Sequence, residues 1–153
     1  MSHHARVLWT WLDPSDRLNT CVLGLTACGG EAPDPVARKL RDLDVGALPI
    51  CGEDDRLKGM LTDRDIVVKA LAQGKDPSTT RAGELGAGDG ETVTIGADDS
   101  IDEALRTMID HKVRRLPVID DRRLVGIISQ ADVATNVDEE RVGDLVEAIS
   151  AAP

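Results

Sequence analysis

The sequence predicts an α/β fold in which one small unit, a short sheet with two helices, occurs twice in tandem. The stretch DVGALPICGEDDRLKGMLTDRDIV, beginning at residue 44, aligns with KVRRLPVIDDRRLVGIISQADVA, beginning at residue 112, with one loop residue fewer in the second copy. In both copies the apolar residues change between helical spacing and the short runs typical of strands. A chain of 153 residues is also long enough for two halves of roughly 60 residues each.

The two copies agree at many separated positions, which is the sequence signature of a repeat architecture. Both contain a Leu-Pro pair, a later glycine, and an aspartate three residues after a hydroxyl side chain. The matched pairs are Val45 and Val113, Leu48 and Leu116, Pro49 and Pro117, Leu57 and Leu124, Gly59 and Gly126, and Asp65 and Asp132.

The first helix of each copy is indicated by its apolar face and, in the second copy, by its cap. Ser100 is followed three residues later by Glu103, which is the pattern of a capping box. In the first copy the stretch DPVARKLRDLDV, residues 34 to 45, contains Pro35 and follows Pro33, and a helix tolerates prolines at its start. The predicted faces are Val36, Ala37 and Leu40 in the first copy and Ile101, Ala104, Leu105 and Met108 in the second.

Two apolar runs separated by acidic turn residues predict a hairpin in each copy. A second helix then begins near Asp63 or Gln130, directly after a hydroxyl residue in the position of an N-cap. The predicted strands are ALPIC and LKGMLT in the first copy, and RLPVI and LVGIIS in the second.

The stretch between the copies predicts a linker, because residues 74 to 91 are rich in Gly, Asp and Thr, with one helical turn around 82 to 85. TVTI, residues 92 to 95, predicts a short strand, and VGDLVEAI predicts a closing helix. The predicted segments are an atypical N-terminal stretch at 1–35, a first motif at 36–73, the linker at 74–91, a second motif at 92–137, and a C-terminal helix at 138–153.

Composition argues against several classes of partner. A formal net charge of -10 disfavours nucleic-acid phosphate and anionic membranes as partners, since these select clustered Lys and Arg. No apolar run approaches the ~20 residues that a membrane-spanning helix needs. The three cysteines have no CxxC spacing, so a reducing, cytoplasmic setting is expected. LTAC at 25–28 resembles a lipobox, but the apolar stretch before it is too short for an ordinary signal peptide.

The paired order of helix, xLPV, LxGxxS/TxxD and helix resembles the CBS motif, named after cystathionine beta-synthase. Two such motifs in tandem resemble a CBS pair, or Bateman module, and the chain is similar to short stand-alone CBS-pair proteins of actinobacteria. The resemblance covers residues 36 to 150. It implies that each motif is a small three-stranded sheet with two helices, and that the two motifs pack with pseudo-twofold symmetry around two clefts.

The first 35 residues depart from the family pattern. A CBS motif should begin with a strand of the TVTI kind, and only NTCVL, residues 19 to 23, offers a candidate in the first copy. If that strand forms, Cys21 and Cys51 could lie on neighbouring strands and form a disulfide, which geometry decides.

The resemblance implies that adenosine-containing ligands such as AMP, ATP, NAD or S-adenosylmethionine bind in the clefts. It places Asp65 and Asp132 against the ribose, because a carboxylate accepts hydrogen bonds from both ribose hydroxyls. It places Thr62 and Ser129 beside a phosphate at the start of each second helix. The other implied contacts are adenine walls at Leu48, Val93, Ile95, Leu116 and Pro117, and the cations Arg64, Arg114 and Arg115 near phosphates.

Each of these residues also has a structural interpretation. Thr62 and Ser129 are helix caps whether or not a ligand binds. The aspartates could merely favour the positive end of a helix, and the arginines could form surface ion pairs. Asp63 adds negative charge to the first site and its counterpart Gln130 does not, so the second site is the better candidate.

Two functions are therefore expected to compete, and an enzyme is the weakest alternative. The first is a sensor that binds an adenine nucleotide, forms a homodimer through helix faces and acts on an unknown protein partner. The second is a structural or interaction protein with empty clefts. No catalytic residues, no required cofactor and no metal site are expected, because His3, His4 and His111 lack ligand spacing such as HExxH.

Overall fold

A computed structural model describes residues 27–28, 33–52, 56–76, 79–86 and 91–151 of the chain. These residues form two compact units, which divide between Thr92 and Val93. Each unit contains one copy of the repeat and one three-stranded sheet.

The first unit contains strands β1 (Ala27–Cys28), β2 (Ala47–Cys51) and β3 (Leu57–Thr62). The order in the sheet is β1-β2-β3, with β1 parallel to β2 and β2 antiparallel to β3. Helix α1 (Pro33–Asp42) precedes β2, helix α2 (Asp63–Asp65) follows β3, and α3 (Ala82–Gly86) packs on the sheet. A π-helical turn, Ile66–Ala70, and a 3-10 turn, Leu71–Gln73, continue α2.

The second unit repeats this arrangement with strands β4 (Ile95–Gly96), β5 (Arg115–Asp120) and β6 (Arg123–Ser129). Its sheet order is β4-β5-β6, again with one parallel and one antiparallel pair. Helices α4 (Ile101–His111), α5 (Gln130–Asn136) and α6 (Glu139–Ser150) complete the unit.

Each unit has its own aliphatic core. In the first unit, the apolar face of α1 meets the strands and α3, and Val36, Leu61 and Leu85 are fully buried there. In the second unit, Met108 of α4, Leu116 of β5 and Leu145 of α6 are fully buried. Burial of these side chains from opposite elements is what holds each sheet to its helices.

The loops between the first helix and the hairpin show how closely the copies correspond. Asp44 and its counterpart Lys112 both have φ 52°, the left-handed conformation that ends a helix. The N–H of Asp63 donates to Gly46, and the N–H of Gln130 donates to Arg114, at matching positions. The repeat seen in the sequence is therefore a repeat of backbone structure.

The predicted hairpins, capped helices and the helical turn in the linker are confirmed, and two edge strands differ from their predictions. The strand predicted at TVTI is Ile95–Gly96, because only these residues pair with Val118 and Ile119. The strand predicted at NTCVL lies outside the described residues. Ala27–Cys28 instead pairs with Ile50 and Cys51, so Cys51 lies opposite Cys28 in the register.

Candidate ligand-binding site

The second helix of each unit begins with a hydroxyl and a carboxylate that cap each other. Thr62 accepts a hydrogen bond from the Asp65 N–H at 3.0 Å, and Asp65 Oδ2 accepts from the Thr62 N–H and hydroxyl at 2.9 and 2.6 Å. Ser129 and Asp132 form the same three bonds, at 3.3, 2.8 and 2.6 Å. Both hydroxyls therefore donate their proton to the neighbouring aspartate. The N–H groups at the helix start are satisfied by the hydroxyl oxygen and by the carboxylate.

The second carboxylate oxygen differs between the copies. In the first unit, Lys69 Nζ lies 2.8 Å from Asp65 Oδ1 and also donates to the carbonyl of Leu85 at 3.0 Å. Burial raises the pKa of Asp65, but hydrogen bonds from Lys69 and Thr62 outweigh this effect and hold the pKa below its ordinary value of 3.8.

In the second unit, Asn136 occupies the position that matches Lys69. Its side-chain amide donates to the backbone carbonyl of Asp132 at 2.9 Å, not to the carboxylate. Among the residues that the structure describes, Asp132 Oδ1 has no hydrogen-bond or ion-pair partner. Asp132 thus keeps one acceptor oxygen available, whereas Asp65 does not.

A cavity of about 380 Å³ lies beside the Ser129–Asp132 cap. Ser129 lines it, and Asp132 does not, although the two side chains are hydrogen bonded. Neither of the two arginines at its edge forms an ion pair with any described residue. The lining residues are Arg114, Arg115, Ser129, Gln130, Ala131 and Ala134.

The same positions in the first unit carry different chemistry. Gly46 and Ala47 stand where the second unit has Arg114 and Arg115, and Asp63 stands where it has Gln130. An anionic ligand would meet Arg114 and Arg115 in the second unit. In the first unit it would meet one arginine, Arg64 at the position of Ala131, beside an added carboxylate. The two copies share the hairpin and the helix cap but not an electrostatic environment.

The structure brings only some of the predicted site residues together. Arg115 and Ser129 line the cavity, and Thr62, Asp65 and Asp132 form the caps. Arg64 is exposed on α2. The predicted adenine walls are core residues: Leu48, Ile95, Leu116 and Pro117 are buried and Val93 is partly buried, so their contact with a ligand stays a prediction.

Four residues at the two sites were not predicted. Gln130, Ala131 and Ala134 form the α5 face of the cavity, and their spacing of one, two and five residues after Ser129 is a helical signal that points to them. Lys69 was missed as well, although its position four residues after Asp65 is the spacing of a helical ion pair.

The described residues contain neither a metal-binding cluster nor a membrane-spanning helix. No three or more His, Cys, Asp and Glu side chains gather there in a way that could hold a metal ion, while His3 and His4 lie outside these residues. No described helix combines the length and the apolar character that crossing a membrane requires.

Comparison with known proteins identifies one family. The model of the CBS domain matches residues 36–71 and 90–139 of the chain. Hypoxic response protein 1 of Mycobacterium tuberculosis is 50% identical over 127 residues, which cover 82% of this chain and 87% of that protein.

Two solved structures are similar as well. The crystal structure of Hypoxic Response Protein I with two coordinated zinc ions has a TM-score of 0.66 and 50% identity, covering 74% of this chain and 90% of that one. The CBS domain pair of protein MJ0100, in complex with 5′-methylthioadenosine and S-adenosyl-L-methionine, has a TM-score of 0.62 and 30% identity, covering 72% and 85%.

Proposed function

Since this chain belongs to the CBS domain family, we propose that it is a non-catalytic regulatory module that binds an adenosine-containing ligand. The second unit is the proposed binding site, with Asp132 as the ribose acceptor. The observation that carries this proposal is the open Oδ1 of Asp132, close to a cavity whose two arginines form no ion pair with a described residue.

Asp132 suits a ribose because its geometry is already set. Its Oδ2 accepts two hydrogen bonds from Ser129, which hold the carboxylate in place without using Oδ1. A ribose hydroxyl that donates to Oδ1 therefore replaces water and leaves the cap intact. A bond of this kind to a charged acceptor is worth about 1.5–3 kcal/mol.

The arginines favour a ligand with phosphate. Arg114 and Arg115 present planar donor groups that match phosphate oxygens, and Ser129 lies on the same cavity wall. The cavity volume of about 380 Å³ also falls in the range of roughly 300–1,000 Å³ that is usual for small-molecule sites. AMP, ATP and NAD, which all carry phosphate, are therefore the proposed ligands.

The MJ0100 domain pair supports the adenosine part of the ligand, since that protein holds 5′-methylthioadenosine and S-adenosyl-L-methionine. Neither of those two molecules carries a phosphate. We expect 5′-methylthioadenosine to bind this chain more weakly than AMP, because it has no anionic group to balance the charge of Arg114 and Arg115. S-adenosylmethionine has one carboxylate, but its ammonium and sulfonium make its net charge positive.

Calorimetric titration with AMP, ATP, NAD, S-adenosylmethionine and 5′-methylthioadenosine tests the proposal. AMP or ATP should bind with micromolar to millimolar affinity, and Asp132→Asn should weaken binding by roughly 10- to 100-fold. Asp110→Asn, which changes an exposed carboxylate on α4, is the control and should leave the affinity unchanged.

The charge preference is tested separately. Arg115→Gln should weaken AMP binding several-fold and leave 5′-methylthioadenosine binding unaffected, because only AMP has a phosphate that Arg115 can bind. Absence of heat with all five ligands, or equal affinity of the wild type and the Asp132→Asn variant for AMP, would overturn the proposed site.

A second candidate function is self-association with no ligand, and one observation favours it. Val67, Val68 and Leu71, on the turns that continue α2, are 54%, 45% and 58% exposed. A second copy of the chain is the occupant that we propose for this patch, because a twofold axis lets one apolar surface cover itself. Nucleotide binding and self-association are compatible, and the titrations above decide the first.

A further inference from the structure

The two aspartates that begin the second helices differ in one contact. Both carboxylates use Oδ2 for the hydroxyl cap, with the same partners and nearly the same distances. Asp65 Oδ1 is bridged by Lys69, and the matching Asn136 leaves Asp132 Oδ1 open. One substitution between the repeats thus separates an occupied acceptor from an available one.

We propose that Lys69 is an internal plug, which occupies the ribose-binding oxygen of Asp65 and limits the chain to one nucleotide, bound at Asp132. This inference rests on the proposed function, because it assumes that Asp132 receives the ribose. It adds that the first copy has the ligand-binding motif but is closed to ligands by a residue of its own helix.

The plug is held from two sides. The Lys69 ammonium contacts Asp65 Oδ1 at 2.8 Å, and it donates to the Leu85 carbonyl in α3 at 3.0 Å. A ribose that displaces Lys69 must therefore break an ion pair and also leave the Leu85 carbonyl without that donor. The Asp65 side chain is only 21% exposed, so solvent replaces these contacts poorly.

The residues around Asp65 offer few favourable contacts to an anionic ligand. Gly46 and Ala47 supply no charge at the positions of Arg114 and Arg115, and the exposed Asp63 repels a phosphate. The lowered pKa of Asp65 agrees with this assignment, since the carboxylate stays ionised and available to Lys69 at neutral pH. The first copy thus lacks an open acceptor, and its one arginine at the cap, Arg64 at the position of Ala131, lies next to Asp63.

Exchange of the two matched residues tests the plug. Asn136→Lys places a lysine four residues after Asp132, where it should bridge Oδ1 and weaken AMP binding at least 10-fold. Asn136→Gln has similar length without the charge and should bind AMP within about twofold of the wild type. Circular dichroism and thermal melting confirm that each variant is folded.

Lys69→Asn tests the opposite direction. The wild type should bind one equivalent of AMP per chain, and Lys69→Asn should take up a second, weaker equivalent of adenosine. Adenosine is the probe here because it has no phosphate for the first copy to repel. Lys75→Asn removes an exposed lysine outside the cap and should retain a stoichiometry of one.

The outcomes distinguish the two proposals. Two equivalents of AMP in the wild type would overturn the plug and leave nucleotide binding standing. Unchanged affinity in a folded Asn136→Lys variant, or a single adenosine equivalent in a folded Lys69→Asn variant, would also overturn it. Absence of AMP and adenosine binding to the wild type would instead overturn the proposed function itself.

Discussion

The hydroxyl and carboxylate at each second helix start complete hydrogen bonds that the backbone would otherwise lack. Thr62 and Asp65, like Ser129 and Asp132, pair reciprocally with N–H groups of the first turn. Such a cap contributes about 1 kcal/mol whether or not a ligand is present. The hydroxyls and Oδ2 atoms are therefore structural, and only the Oδ1 atoms distinguish an open site from a closed one.

Replacement of Asp65 by Asn should make stability less dependent on pH. The pKa of Asp65 is lower in the folded chain than its ordinary value of 3.8, so the unfolded chain binds the proton more readily. The ionised group therefore stabilises the fold at pH above about 4, and this contribution is lost as the pH falls through the lowered native pKa.

We expect Asp65→Asn to reduce the free energy of unfolding by about 1 kcal/mol at pH 7, since the Lys69 pair is partly exposed. Urea denaturation at pH 7 and at pH 3 measures the difference between variant and wild type, which should shrink at the lower pH. Asp110→Asn is the control, and a difference of the same size at both pH values would contradict the assignment.

The third helix of each unit packs on different elements. In the first unit, α3 is a helix of about one and a half turns that packs on β2 and β3, with Leu85 fully buried. In the second unit, α6 is a full helix that packs on α4 and α5 and buries Leu145. An ion pair between Arg141 and Asp102 also joins α6 to α4.

Gly86 and Gly143 should respond oppositely to substitution by alanine. A Cβ at Gly86 would lie 2.8 Å from the Met60 carbonyl oxygen and would also press against the Ile50 side chain. Nothing lies within 4 Å of a Cβ at Gly143, in α6. Gly86→Ala should therefore destabilise the fold by about 1–3 kcal/mol.

Gly143→Ala should stabilise the fold by about 0.5–1 kcal/mol, because alanine has a higher helix propensity than glycine at an exposed position inside a helix. Urea midpoints of the two variants and the wild type provide the comparison. Equal stability of Gly86→Ala and the wild type would show that α3 is not held at this close distance from β3.

For the whole molecule, the repeat gives two units with one backbone plan and unequal surfaces. Arg114 and Arg115, which form no ion pair with a described residue, and the open aspartate belong to the second unit. Most of the large exposed apolar side chains among the described residues belong to the first: Leu43, Val45, Val67, Val68 and Leu71, against Val146 in the second. We infer that the second unit binds the ligand and that the first unit mediates self-association.

Introducing charged side chains into the apolar patch of Val67, Val68 and Leu71 tests self-association through the first unit. Val67→Asp with Leu71→Asp should shift the molar mass measured by light scattering from that of a dimer to that of one chain. Burial of an unpaired carboxylate in an interface costs several kcal/mol, which is enough to separate a dimer. Val146→Asp in α6 is the control, and an unchanged mass in the patch variant would contradict the inference.

The local part of this architecture could be predicted from the sequence. Ser100 and Glu103 identify the start of α4, and Thr62 and Ser129 identify the starts of α2 and α5, because caps depend on residues three apart. The four long strands follow from apolar runs bounded by turn residues. The alignment of residues 44–67 with 112–134 then indicated a repeated fold.

The edge strands, the cores and the anchoring of Lys69 depended on the tertiary structure. Ile95–Gly96 and Ala27–Cys28 are strands only because a distant parallel neighbour pairs with them, so no local pattern gives their bounds. Lys69 pairs with Asp65 four residues before it and is also held by the Leu85 carbonyl, sixteen residues away, and Leu48 and Leu116 are buried in the cores. Short-range spacing encodes the repeat and the Lys69–Asp65 pair, whereas contacts between distant segments decide the edge strands, the cores and the anchoring of Lys69.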